Sequence, residues 1–255
     1  MTGKTLAFSS RNLKELIRDP LSYVFCLGFP IAMLVVMTLV NDGIPAEANM
    51  TIFRINNLAG GIAVFGLTFV MLFVCLSVSK DRSGAFLMRL YSTPMKSENF
   101  IAGYMLPSMM LAVLQVIITF AASLVIALIK GVELNVGGLL LSVVTLLPTI
   151  VMFISLGLLF GTLFSEKAAP GLCSVVISFA SFLGGIWFDV DNTGGVLANI
   201  CGTLPFVHAV KAARLTCALK LSELPEHLLI TSGYAAVITV LAIVVFKRKM
   251  KADLG

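Results

Sequence analysis

Six long apolar runs divide the polar positions of this 255-residue chain, at about 21–40, 58–78, 100–129, 138–163, 171–188 and 228–246. None of them contains an Asp, Glu, Lys or Arg. A helix needs about 20 apolar residues to cross roughly 30 Å of hydrocarbon. The pattern therefore predicts an all-α integral membrane protein with six transmembrane helices in one domain, 1–255. The third run is long enough to tilt or to break near Pro107. Pro30 and Pro148 fall inside the first and fourth runs, where neighbouring helices can re-satisfy the lost backbone bond.

Three segments outside the runs carry their own patterns. In residues 5–19, Leu13, Leu16 and Ile17 form an apolar stripe, Arg11, Lys14, Glu15 and Arg18 take the other face, and Asp19-Pro20 ends the helix. This predicts an amphipathic helix in the inner headgroup region; the alternative is a positive anchor that only fixes topology. Within Asp81–Tyr91, Phe86, Leu87, Leu90 and Tyr91 recur at helical spacing beside Arg82 and Arg89, and Thr93-Pro94 stops the pattern. A short helix with apolar knobs and basic flanks fits a groove on a partner; it could equally lie on the bilayer. In residues 189–227 an apolar run, Val196–Val210, is broken by Gly202 and Pro205 and is too short to span. It predicts a re-entrant pair of external helices, or a loop on the surface.

Composition agrees with lipid as the solvent. Hydrophobic residues make up 58% of the chain, charged residues 12%, and mean hydropathy is +1.02. Soluble domains run near one quarter charged. The net charge of +5 is spread too unevenly to indicate nucleic acid, which is not an expected partner. Thirteen of the eighteen Lys and Arg lie in the N-terminal segment, the loops after runs two and four, and the C-terminal tail. By the positive-inside rule both termini are cytoplasmic. Of the five cysteines, three sit in apolar runs, while Cys201 and Cys217 share an external stretch and could pair if that side is oxidising. No early apolar core with a cleavage site marks a signal peptide.

Several chemistries are missing. Gly3-Lys4-Thr5 lacks the Gly-rich lead of a phosphate-binding loop, so the chain is not expected to hydrolyse ATP. His208 and His227 are the only histidines, and the sequence places no carboxylate near them that would indicate a metal or a catalytic dyad. No catalytic residue, cofactor ligand or metal ligand is expected. Charge-free spans argue against an ion-coupled secondary transporter, which usually keeps a carboxylate or Lys at mid-membrane; Gln115 is the most polar span residue. Gly157-x-x-x-Gly161 permits close helix approach. Met33, Met37, Phe65, Phe69 and Phe73 could line an apolar path or simply fill the core.

Leu16-Ile17-Arg18-Asp19-Pro20, the run Asp81–Met95 continuing into Phe100-Ile101-Ala102-Gly103-Tyr104, and Gly184-Gly185-Ile186-Trp187-Phe188 followed by Leu204–Val210 and Arg214 resemble one family in register. That family is the type-2 ABC exporter permeases. Two departures stand out: Lys80-Asp81-Arg82 where the family often opens its coupling segment with Glu-Arg, and Asp189-Val190-Asp191 where it often has a Pro.

The resemblance implies two such permeases, identical or paired with a relative, in the cell membrane, above two cytosolic ATP-binding cassette proteins that hold ATP and Mg. It implies that Phe86, Leu87 and Leu90 enter the cassette groove, with Arg82 and Arg89 at its rim and Tyr91 on the same helix. The helix carrying Arg11, Leu13 and Ile17 would lie at the inner leaflet, and Pro205, Phe206 and His208 would belong to an external gate. The implied cargo is amphipathic: a drug, an antimicrobial peptide or a lipid-like molecule moved outward. The alternatives are an ion-coupled secondary transporter and a non-transporting immunity or scaffold protein.

Overall fold

A computed structural model describes residues 3–45, 51–84, 86, 97–190 and 192–252. Among them every regular element is helical. In chain order these are α1 (Gly3–Arg18), α2 (Pro20–Gly43), α3 (Ile55–Ser83), α4 (Ser97–Lys130), α5 (Val136–Thr145), α6 (Leu147–Leu163), α7 (Ala169–Leu183), α8 (Gly195–Thr203), α9 (Pro205–Cys217) and α10 (Leu224–Ala252).

Helices α2, α3, α4 and α10 are each long and apolar enough to cross a membrane, and α5 with α6 is so as a pair bent by 42°. The prolines explain the local shapes. Pro148 removes one intrahelical bond and crowds the preceding turn, so the helix breaks at Leu146. Before Pro30 the chain widens into a π-helical turn, Val24–Gly28, in which Phe29 N–H bonds Val24 O. Pro107, by contrast, does not break α4, which continues through it.

The fifth apolar run differs from its predicted extent. Helix α7 has 15 residues, so it covers only about 22 Å at 1.5 Å per residue. Residues 184–188 leave the helix because Gly185, at φ +69°, caps it: Gly185 N–H bonds Phe182 O and Ile186 N–H bonds Ser181 O. The re-entrant pattern at 195–217 becomes two helices meeting at 81°. Most of α8 is exposed, whereas α9 is buried along most of its length and packs on α3, α5 and α10.

Helix α3 is the axis of the bundle, buried on nearly all sides. Gly157 and Gly161 of α6 lie directly on it: a Cβ at Gly157 would come 2.5 Å from Met71 O, and one at Gly161 2.6 Å from Cys75 O. The stripe Phe65, Phe69, Phe73 is buried, and Phe65 and Phe69 interlock with Phe25 and Phe29 of α2 and with Trp187. All five cysteines are free thiols. Cys201 and Cys217 do not pair, because α9 separates them: Cys201 packs with Val190 and Val207, while Cys217 Sγ lies 3.3 Å from Ser142 Oγ on α5.

The segments read as cytoplasmic from their charge gather at one end. There Arg11 meets Asp81, Ser83 Oγ donates to Glu166 Oε2 at 2.9 Å, and Lys247 Nζ donates to Glu98 Oε1 at 3.0 Å. At the other end Lys130 pairs with Asp42, and Arg214 Nε donates to Asn57 O at 3.1 Å.

Candidate functional site

A polar and aromatic cluster lies where α1 crosses the end of α3 and the start of α4. Pro107 has no N–H, so the carbonyl four residues earlier, Gly103 O, loses its helical donor. Asn12 of α1 replaces it, donating Nδ2–H to Gly103 O at 3.1 Å. Gly103 also provides the space: a Cβ there would lie 2.2 Å from Phe8 Cδ1. Phe8 settles into that notch with its ring edge-on to Tyr104 at 5.1 Å and to Phe100 at 5.6 Å. Thr5 Oγ1 donates to Asn99 Oδ1 at 3.0 Å. The face of α1 that docks is thus Thr5, Phe8 and Asn12, a stripe that the sequence reading did not select.

Beside it is a charge node. Arg11 grips Asp81 with both nitrogens, Nη1 to Oδ2 at 2.8 Å and Nη2 to Oδ1 at 2.9 Å. Tyr104 donates its hydroxyl to Asp81 Oδ2 at 2.7 Å, and Arg11 Nη2 also bonds Glu15 Oε1 at 2.7 Å. The Arg11 guanidinium covers the Phe86 ring at 3.9 Å. Burial works against the Arg11 charge, but its hydrogen bonds and charge interaction with Asp81, helped by Glu15, outweigh that and raise its pKa. Asp81 is 7% exposed and Arg11 31%, so the forked pair is mostly shielded from water.

These contacts place several predicted residues differently. Asp81–Ser83 are the last turn of α3, which Gly84 ends, and not the start of a separate coupling helix. Arg82 turns toward α6 and donates Nη1–H to Thr162 O, one of the carbonyls left open at that helix end. Phe86 is partly buried and packs inward on Phe8, with ring centroids 6.4 Å apart, and under Arg11. Leu87, Arg89, Leu90 and Tyr91 lie outside the described residues. Leu13, Leu16 and Ile17, with Tyr23 and residues between Met109 and Ile117 of α4, line an apolar groove of about 590 Å³.

At the opposite end, Pro205 begins α9 and is buried, and the Phe206 ring stacks on Phe153 of α6 at 6.2 Å. His208 is 7% exposed. It meets His227 across 19 residues of sequence, with the two Nδ1 atoms 2.8 Å apart. Nothing in the spacing signalled that contact, because the packing of α9 against α10 creates it. Gln115 is fully buried against the Gly66 notch, donating to Thr119 Oγ1 at 3.0 Å, and its Oε1 has no hydrogen-bond partner among the described residues.

Among the described residues the site has no nucleophile, acid–base pair or phosphate cradle. It joins α1, α3, α4 and the segment after α3 through a forked ion pair, three aromatic contacts and a replaced helix bond, and α6 is tied to the same end of α3 by Arg82. No curated protein matches the chain. The family model described as ABC-2 type transporter matches residues 4–217, well over half of the chain. That match begins in α1, ends with α9 and includes the whole node, so the chain belongs to the ABC-2 type transporter family and is a membrane permease of an ABC transporter.

Proposed function

We propose that this chain is the membrane half of an exporter driven by a separate cytosolic ATP-binding cassette protein, and that it works as a dimer of permeases in the cell membrane with both termini in the cytosol. The observation that carries the coupling mechanism is the Arg11–Asp81–Tyr104 node with Phe86 beneath it. A cassette that binds ATP and Mg pushes on the segment following α3. Phe86 and Arg11 pass the push to α1, Tyr104 passes it to α4, and Arg82 passes it to α6. Leu87, Leu90 and Tyr91 dock in the cassette groove with Arg89 at its rim, whereas Phe86 acts on the permease side of the joint. Helix α1 rests at the inner leaflet, its Leu13 and Ile17 toward lipid. The external elbow around Pro205, Phe206 and His208 closes the exit. The cargo class is amphipathic, in keeping with spans that carry no charged residue.

Leu87→Asp combined with Leu90→Asp is expected to abolish co-purification with the cassette while membrane insertion stays normal. Unchanged cassette binding would remove the docking assignment. Transport by cassette-containing proteoliposomes is expected to require ATP and to ignore an imposed ion gradient; a gradient-driven flux without the cassette would instead identify a secondary transporter.

A further inference from the structure

We propose that His208 and His227 form an acid-released latch that holds the elbow between α8 and α9 against the first turn of α10. Three hydrogen bonds converge there. His208 Nε2 lies 2.9 Å from Gly202 O, the two Nδ1 atoms lie 2.8 Å apart, and Tyr234 of α10 donates its hydroxyl to Thr203 O at 2.7 Å. Gly202 and Thr203 supply carbonyls that α8 leaves open at its C-terminus, so the latch also caps that helix.

The geometry fixes where the protons sit. A carbonyl only accepts, so His208 carries its proton on Nε2 and presents a lone pair at Nδ1. His227 must then donate from its own Nδ1. A first added proton goes to His227 Nε2 and leaves the bond intact. A second has only His208 Nδ1 to occupy, which would set two N–H groups facing each other at 2.8 Å. The closed latch therefore holds at most one extra proton, whereas the two released imidazoles hold two.

The charged surroundings act in both directions. His227 stands just ahead of the apolar run 228–246, at the polar start of α10 beside Glu226. Burial, then His208, then Lys211 of α9 lower its pKa, while Glu226 and Glu223 at the start of α10 oppose them. Asp189 from the segment after α7 and Arg214 of α9 line the same cavity of about 270 Å³. Because the folded pKa of His227 lies below the ordinary histidine value, the latch is fully stable above that value and weakens as pH falls through and below it. Taking ordinary released values near 6.5, the open-to-closed ratio rises on the order of tenfold or more between about pH 7.5 and 5.5.

Amide hydrogen exchange of the whole protein in lipid nanodiscs, corrected for intrinsic rates, tests this. Peptides over 195–210 are expected to lose protection about tenfold on going from about pH 7.5 to 5.5, while α3 and α6 peptides stay constant. Equal protection at the two pH values overturns the latch. The variant His208→Gln with His227→Gln has nothing to titrate at the joint and is expected to exchange identically at both. If it keeps the wild-type pH response, the histidines are not the switch. Histidine C2–H exchange in the unmodified protein supplies a check that needs no variant: two well-separated titrations support the pair, and two ordinary independent ones overturn it. The consequence for cargo exit rests on the exporter reading. The exchange measurements do not, since they read the elbow with no cassette or cargo present.

Discussion

At the scale of single residues, the carboxylate of Asp81 organises the end of the bundle where α1, α3 and α4 meet. It is nearly buried and accepts three hydrogen bonds, two from Arg11 and one from Tyr104. Removing one partner of a fully buried ion pair costs about 3–5 kcal/mol, because the other charge is stranded. Arg11 is partly exposed, so water can re-enter, and Arg11→Ala is expected to cost on the order of 1–3 kcal/mol. A drop in the thermal midpoint of the purified protein would show it. The same variant is expected to bind the cassette normally and to lose cargo-stimulated ATPase activity, which separates a coupling role from a docking role. Arg11 and Asp81 are 70 positions apart, and the sequence placed Arg11 on the solvated face of an amphipathic helix. Periodicity finds faces, but it does not say which of two faces meets another helix.

At the scale of elements, a proline and two glycines define how helices meet. Asn12 serves a carbonyl that only Pro107 makes available, so the two residues should be energetically coupled. Asn12→Ala is expected to cost about 1–3 kcal/mol in the wild-type background, the penalty of an unmet buried carbonyl. It should cost clearly less in a Pro107→Ala background, where the restored backbone N–H can bond Gly103 O. Equal costs in a double-mutant cycle of thermal midpoints would show that the carbonyl is not the link. On α6, Gly161→Ala would push a methyl to 2.6 Å from Cys75 O, a backbone atom that cannot step aside. An overpacking loss of about 1–3 kcal/mol is expected. Gly171→Ala on α7, where nothing lies within 4 Å, should be neutral or slightly stabilising. The Gly157-x-x-x-Gly161 spacing was visible in the sequence; that its partner is the Met71–Val78 face of α3 was not.

At the scale of the whole molecule, the node at one end and the histidine latch at the other lie on a common frame, since α3 runs the length of the bundle and packs on α6, α4, α7 and α9. Because the latch titrates locally, Arg11→Ala at the far end of the bundle is expected to leave the pH response of the elbow unchanged; exchange of the 195–210 peptides would measure it. The sequence by itself determined the solvent, the all-helical class, the approximate places of every long apolar helix but the fifth, and the family. Each of these depends on properties that repeat locally along the chain: apolar run length, charge asymmetry and short motifs in order. Only the tertiary structure decided that α7 stops at Leu183, that Asn12 replaces a bond lost at Pro107, that Phe86 and Arg82 turn inward, and that two distant histidines share a hydrogen bond. Those outcomes depend on which helix faces which, and that is settled by packing among residues far apart in the chain, where no local period carries the information.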